Sequence, residues 1–121
     1  MKLPPPPAHL SASAAQWWTS VVERYVLEEH HLRLLQLCCE AWDRSQMARK
    51  QLAKDGLTVP HGDGGVRTHP CVAIERDSRL AVARLVRELD LDTEPPPSER
   101  YAPPALHSNR GGARARKAPR A

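Results

Sequence analysis

The sequence predicts a mainly α fold, a three-helix body with a short β-hairpin between the second and third helices. Three observations carry that expectation. Apolar residues recur at helical spacing in three separate stretches. A glycine-rich turn between two short β-branched runs divides the second stretch from the third. Proline-dense segments at both ends favour extended backbone over helix. The expected organisation is a flexible Pro-rich N-terminal arm over residues 1–12 and a helical body over 13–91, with the hairpin at about 57–68. A Pro-rich linker and a basic disordered tail then fill 92–121.

The first helix is expected to begin at Ser13-Ala-Ala-Gln16, which fits a capping box in which serine and glutamine side chains satisfy each other's unpaired backbone amides. Trp17, Trp18, Val21, Val22 and Tyr25 fill one side, and the pattern ends near Val26. The two tryptophans read as core anchors because they belong to that apolar face. Glu28 and Glu29 then put negative charge at the positive dipole end of a second helix, expected from about Glu29 to Lys54. Its first half is apolar over more than one stripe, through Leu32, Leu34, Leu35, Leu37, Cys38, Cys39, Ala41 and Trp42. Such a helix must be covered on more than one side. Burial should fade toward Gly56, which suits a left-handed position past a helix end.

Leu57-Thr-Val59 and Val66-Arg-Thr68 flank Pro60-His-Gly-Asp-Gly-Gly65, whose glycines supply the positive-φ positions of a hairpin turn. A phosphate-cradling loop is the sharper alternative, but the Walker pattern needs Gly-Lys followed by Ser or Thr, and this loop ends in Val66-Arg67. Pro70 suits the first turn of a third helix, expected from about Pro70 to Leu89, with His69 capping or packing at its start. Ile74, Ala81, Val82, Leu85 and Leu89 form its packing face, and Arg76, Arg79, Arg84 and Arg87 lie within roughly 140° on the other side. Those four arginines could track a phosphate backbone, or form a solvated face neutralised by Glu75, Asp77, Glu88 and Asp90.

Composition narrows the function classes. The chain has 121 residues, and after its proline-rich ends are set aside about 80 remain, a size at which oligomerisation commonly supplements a marginal core. No stretch reaches the roughly 18 consecutive apolar residues of a membrane span, and prolines follow Met1-Lys2 in place of an apolar signal core, so a cytosolic protein is expected. Three cysteines, two of them adjacent, make a poor disulfide framework and read as reduced thiols packed as small hydrophobes. No C-x-x-C or H-x-x-x-H spacing appears, so neither a metal site nor a cofactor is expected, and no catalytic residue stands out. Charge is unevenly placed within the net +4: residues 103–121 hold Arg110, Arg114, Arg116, Lys117 and Arg120 and no acid, leaving the rest slightly negative. A basic tail of this kind suits a polyanion, most often nucleic acid, through counterion release without sequence readout.

The order of these parts resembles a known family. A tryptophan helix is followed by a leucine-rich helix ending Leu-Ala-Lys-Asp-Gly56-Leu-Thr-Val59. The turn Gly64-Gly65, the helix start His69-Pro70 and a closing Glu88-Leu-Asp-Leu91 complete it. Together they resemble the small-subunit terminases of tailed bacteriophages, over about Leu3 to Tyr101. Members usually carry a glycine where Asp90 stands, and a Thr-Pro-Ser-Ser-Arg type segment where this chain has Asp92-Thr-Glu-Pro-Pro-Pro-Ser98-Glu-Arg100.

The resemblance implies a non-enzymatic subunit acting in viral genome packaging, in the cytoplasm of the bacterial host. Such subunits form homo-oligomeric rings, bind double-stranded DNA near the packaging start, and recruit or regulate a large subunit with ATPase and nuclease activity. On this reading Arg110, Arg114, Arg116, Lys117 and Arg120 are the first candidates for DNA contact, and Arg76, Arg79, Arg84 and Arg87 the second. Leu34, Leu35, Cys38 and Trp42 are the assembly candidates, some packing within the chain and some between subunits. Two other readings stand beside it. A small helical transcriptional regulator would need a tight helix-turn-helix, for which only the Tyr25–Glu29 junction is short enough. A pure assembly protein would use its basic tail on the large subunit alone.

Overall fold

A computed structural model describes residues 2–91. It contains α1 (Ala12–Arg24), α2 (Glu29–Asp55), β1 (Thr58–His61), β2 (Gly65–Thr68) and α3 (Pro70–Glu88). The fold is the mainly helical one expected, with the two-stranded antiparallel hairpin between α2 and α3.

The start of α1 differs from the expectation. Ser11 is the cap, accepting the Ala14 amide at 3.1 Å, and Ser13 lies inside the first turn. The reason is long-range. Asp43 of α2 accepts both the Ser11 amide, at 2.9 Å, and the Ser11 hydroxyl, at 2.5 Å, which fixes Ser11 as the point where the helix begins. Residues before it lie along the helices: the Trp18 indole N–H donates to the Pro4 carbonyl at 3.0 Å, and His9 Nε2 lies 2.7 Å from Glu40. Hydrogen bonds from Gln36 and then His9 hold the Glu40 carboxyl below its usual range.

α1 packs against the first half of α2 and the end of α3. Ala14, Trp18, Val21, Val22, Tyr25, Leu35, Cys39 and Leu89 form the resulting core cluster. Trp18 is buried and Trp17 half-buried against the same cluster, so the anchor role falls mainly on Trp18.

α2 and α3 make the most extensive helix pair, running antiparallel so that Cys38 meets the Val82 carbonyl and Asp55 meets His69. On α2 the seam is Cys38, Ala41, Ser45 and Ala48, alternating steps of three and four residues. On α3 it is Cys71, Glu75, Ser78, Val82, Leu85 and Leu89, in the same alternation, with Ser78 and Leu89 buried. This 3.5-residue period is the seam of packed helices. Ile74, expected on the packing face, is one position off the seam and exposed. Small polar side chains, Ser45 and Ser78, occupy positions where the sequence pattern sought aliphatics.

Both ends of α3 are tightly determined. His69 Nδ1 accepts the Cys71 amide at 3.0 Å, capping the helix, while Nε2 reaches Asp55 Oδ2 at 3.0 Å across the hairpin. With Nδ1 accepting, Nε2 carries the proton and donates. Hydrogen bonds from Gln51 and then His69 keep the Asp55 carboxyl below its usual range. The His69 amide also donates to the Leu57 carbonyl at 2.8 Å, closing the hairpin base. One buried residue, through its side chain and its backbone amide, therefore ties the end of α2, the hairpin and the start of α3 together. His69→Ala is expected to cost about 1–2 kcal/mol, a lost cap plus a lost buried hydrogen bond. Urea denaturation measures it, and His69→Asn, which can cap but not reach Asp55, should recover the cap share.

At the other end the Asp90 and Leu91 amides donate to the Arg87 and Val86 carbonyls, both at 3.0 Å, with Asp90 at φ 60. That is the Schellman arrangement, with Asp90 in the left-handed position that glycine usually fills. Aspartate tolerates this region better than most residues, which explains how a non-glycine residue stands there.

Candidate functional site

The strands of the hairpin pair Thr58 with Thr68 and His61 with Gly65, and nearly every side chain on them is exposed. Positive φ at Gly62 and Gly64 permits the turn, consistent with a structural connection.

The second-choice arginines all project to solvent from α3. Arg76 contacts Asp77 at 3.2 Å and Arg79 contacts Glu75 at 3.3 Å, so half of the basic arc is locally neutralised. Arg84 and Arg87 have no acidic partner among the described residues. Arg110, Arg114, Arg116, Lys117 and Arg120 lie outside the described residues.

The assembly candidates separate into two classes. Leu35 and Cys38 are fully buried inside this chain. Leu34 is half-buried against the core cluster, and Trp42 keeps 40% of its surface exposed. Leu37, Met47 and Leu80, which the sequence did not single out for assembly, are exposed at 53%, 70% and 55%. Their signal was present, since each is a large apolar side chain on the rim of a helical pattern. Trp42 also lines, with Ser13, Ala14, Trp17, Cys38 and Val82, an apolar cavity of about 360 Å³. It exists because α1 has 13 residues and α2 has 27, so α1 covers only half of its neighbour.

Nucleophile chemistry finds little purchase here. Burial pushes the Cys38 and Cys39 thiols up to about 12, so neither is a thiolate at neutral pH. Among the described residues no group of three or more His, Cys, Asp or Glu side chains could hold a metal ion, and no helix is long and apolar enough to cross a membrane.

His31 is a second buried titratable group with a clear structural duty, beside His69. It is fully buried, and its Nδ1 accepts the Glu28 amide at 3.2 Å, satisfying one of the unpaired donors at the start of α2. Its Nε2 has no hydrogen-bond partner among the described residues. Burial first, then the neighbouring His30, lowers the His31 pKa, against a smaller opposing effect of Glu28. Protonation would take Nδ1 away from the Glu28 amide. Folded His31 resists a proton that the unfolded chain accepts near pH 6.5, so its contribution is present above that pH. Stability should fall as pH drops below about 6.5 and level off below the folded pKa. Denaturant midpoints between pH 7.5 and 5 test this, and a His31→Gln chain with an undiminished fall would remove His31 from the account.

Comparison with known families gives a match over residues 14–98 to the family model described as phage terminase, small subunit. That span takes in α1 from Ala14 onward, α2, both strands, α3 and a short stretch beyond Leu91. No curated protein and no solved structure matches the chain.

Proposed function

The chain belongs to the phage terminase small-subunit family, and from that membership we propose that it binds double-stranded viral DNA as a homo-oligomeric ring and recruits or regulates the large ATPase/nuclease subunit. A role in phage DNA packaging follows from the family itself. The observation that carries the reading is the extent of the match, which covers more than two thirds of the chain. In this reading the protein is non-catalytic and works in the cytoplasm of the bacterial host.

Charge supports the DNA part. The tail cations Arg110, Arg114, Arg116, Lys117 and Arg120 meet no acid within residues 103–121, and Arg84 and Arg87 add two exposed cations from α3. Arg76 and Arg79 contribute less because their neighbours Asp77 and Glu75 compete with phosphate. Exposed apolar surface supports the ring. Leu37, Trp42, Met47 and Leu80 present large side chains to water on a body too small to bury them, and a neighbouring copy would cover them. In this reading Leu34 and Trp42 face the neighbouring copy, while Leu35 and Cys38 support that surface from inside the core.

Native mass spectrometry of the full chain tests the assembly. A single closed species of many identical copies is expected. A monomer at micromolar concentration would sink the ring, and a dimer would favour the small helical regulator, since such readers pair to match two half-sites.

A further inference from the structure

We infer that the apolar groove between α1, α2 and α3 is a polyproline site, and that its occupant is the run Pro95–Pro97 of the same chain. The groove is the cavity of about 360 Å³ lined by Trp17, Trp42, Cys38 and Val82, with no charged side chain among the described residues that line it. Aromatic walls without charge are the surface on which proline-rich strands dock, because a polyproline strand is stiff, apolar in its rings and costs little to order. Such sites add indole N–H donors to strand carbonyls. Neither the Trp17 nor the Trp42 indole makes a hydrogen bond to any described residue.

The molecule already uses this chemistry once. Pro4, Pro5 and Pro6 each precede a proline, which restricts them to extended or polyproline backbone, and Trp18 donates its indole N–H to the Pro4 carbonyl at 3.0 Å. The N-terminal run is thus committed to Trp18. The other run of three or more prolines, Pro95–Pro97, begins four residues past Leu91. Leu91 packs on the cluster that also receives Trp17, so the chain leaves the described region beside the helix that forms one wall of the groove. Reach is sufficient. Leu89 and Val82 are seven residues apart on α3, about 10 Å of helix, and four extended residues span about 12 Å. This inference is independent of the DNA reading; it shares Trp42 with the ring reading, and the dilution arm of the test separates the two.

The test uses the three indole N–H signals of the ¹⁵N-labelled full chain, assigned with single Trp→Phe variants. Changing Pro95, Pro96 and Pro97 together to Ser should move the Trp17 and Trp42 signals and leave Trp18 in place as a reporter of the fold. A synthetic peptide of residues 92–104 added to that variant should move them back. Unmoved Trp17 and Trp42 signals overturn the inference. Signals that instead shift on dilution of the unaltered chain show a second copy in the groove, which also overturns it. Limited trypsin digestion gives a second readout that requires no proline change: Trp42→Ala should speed cleavage after Arg100 without changing cleavage after Arg110. Equal rates at Arg100 count against docking.

Discussion

Replacing Arg110, Arg114, Arg116, Lys117 and Arg120 with glutamine is expected to flatten the salt dependence of DNA binding by about 4.5 in the slope of log affinity against log salt. Each cation that neutralises a phosphate on duplex DNA releases counterions worth about 0.9 in that slope, and five contribute about 4.5 if all engage. The affinity lost is correspondingly large at low salt and shrinks as salt rises. Because these contacts read charge and not base edges, the loss should be equal on scrambled duplexes. Glutamine keeps the length and polarity of the tail, so the comparison isolates charge. A slope that does not change moves the DNA surface to the body, where Arg84 and Arg87 are the cations left without acidic partners among the described residues. Arg84→Gln with Arg87→Gln then becomes the decisive variant, and its slope should drop by about 1.8.

The parts of the fold legible in the sequence were those set by local chemistry. The glycine turn and Pro70 placed the hairpin and the start of α3, and the His69 reading as a cap rests on a bond to an amide two residues away. What escaped was set at a distance. Ser11 outcompetes Ser13 as a cap because Asp43, thirty-two residues on, accepts from its amide and hydroxyl. The α2–α3 seam runs through Ser45, Glu75 and Ser78, and a search for aliphatic stripes therefore chose Ile74, one position away.

The assembly candidates show the same boundary from the functional side. Apolar character identified Leu34, Leu35, Cys38 and Trp42 as residues needing cover, but cover can come from α1 or from another subunit. The side of α2 on which each residue stands decides between them. Leu35 packs in the cluster with α1 and Cys38 meets the Val82 carbonyl of α3, whereas Leu37, in the same half of the helix, is exposed.

Trp18→Ala is expected to lose about 3–5 kcal/mol, the largest single stability effect in the body. Truncating a buried tryptophan removes its transfer energy and leaves a cavity that the neighbours fill only in part. Here the same cluster holds Val21 and Val22 of α1, Leu35 of α2 and Leu89, the cap that ends α3, so no local shift of one element can close the gap. A domain of this size has only about 5–15 kcal/mol in total, and the variant should be partly unfolded at 37 °C. Trp18→Phe separates packing from the hydrogen bond. It keeps most of the ring in the core and deletes the donor to Pro4, so it should cost about 1 kcal/mol and free residues 2–7 from the helices. Urea denaturation reads the first effect, and faster exchange of the Leu10 amide, which donates to the Pro7 carbonyl, reads the second. If both variants lost the same amount, the Pro4 contact would matter more than the core. If Trp18→Phe left the Leu10 amide unchanged, the indole N–H would not be what holds the proline run, and the chemistry assigned to the second groove would lose its precedent in this chain.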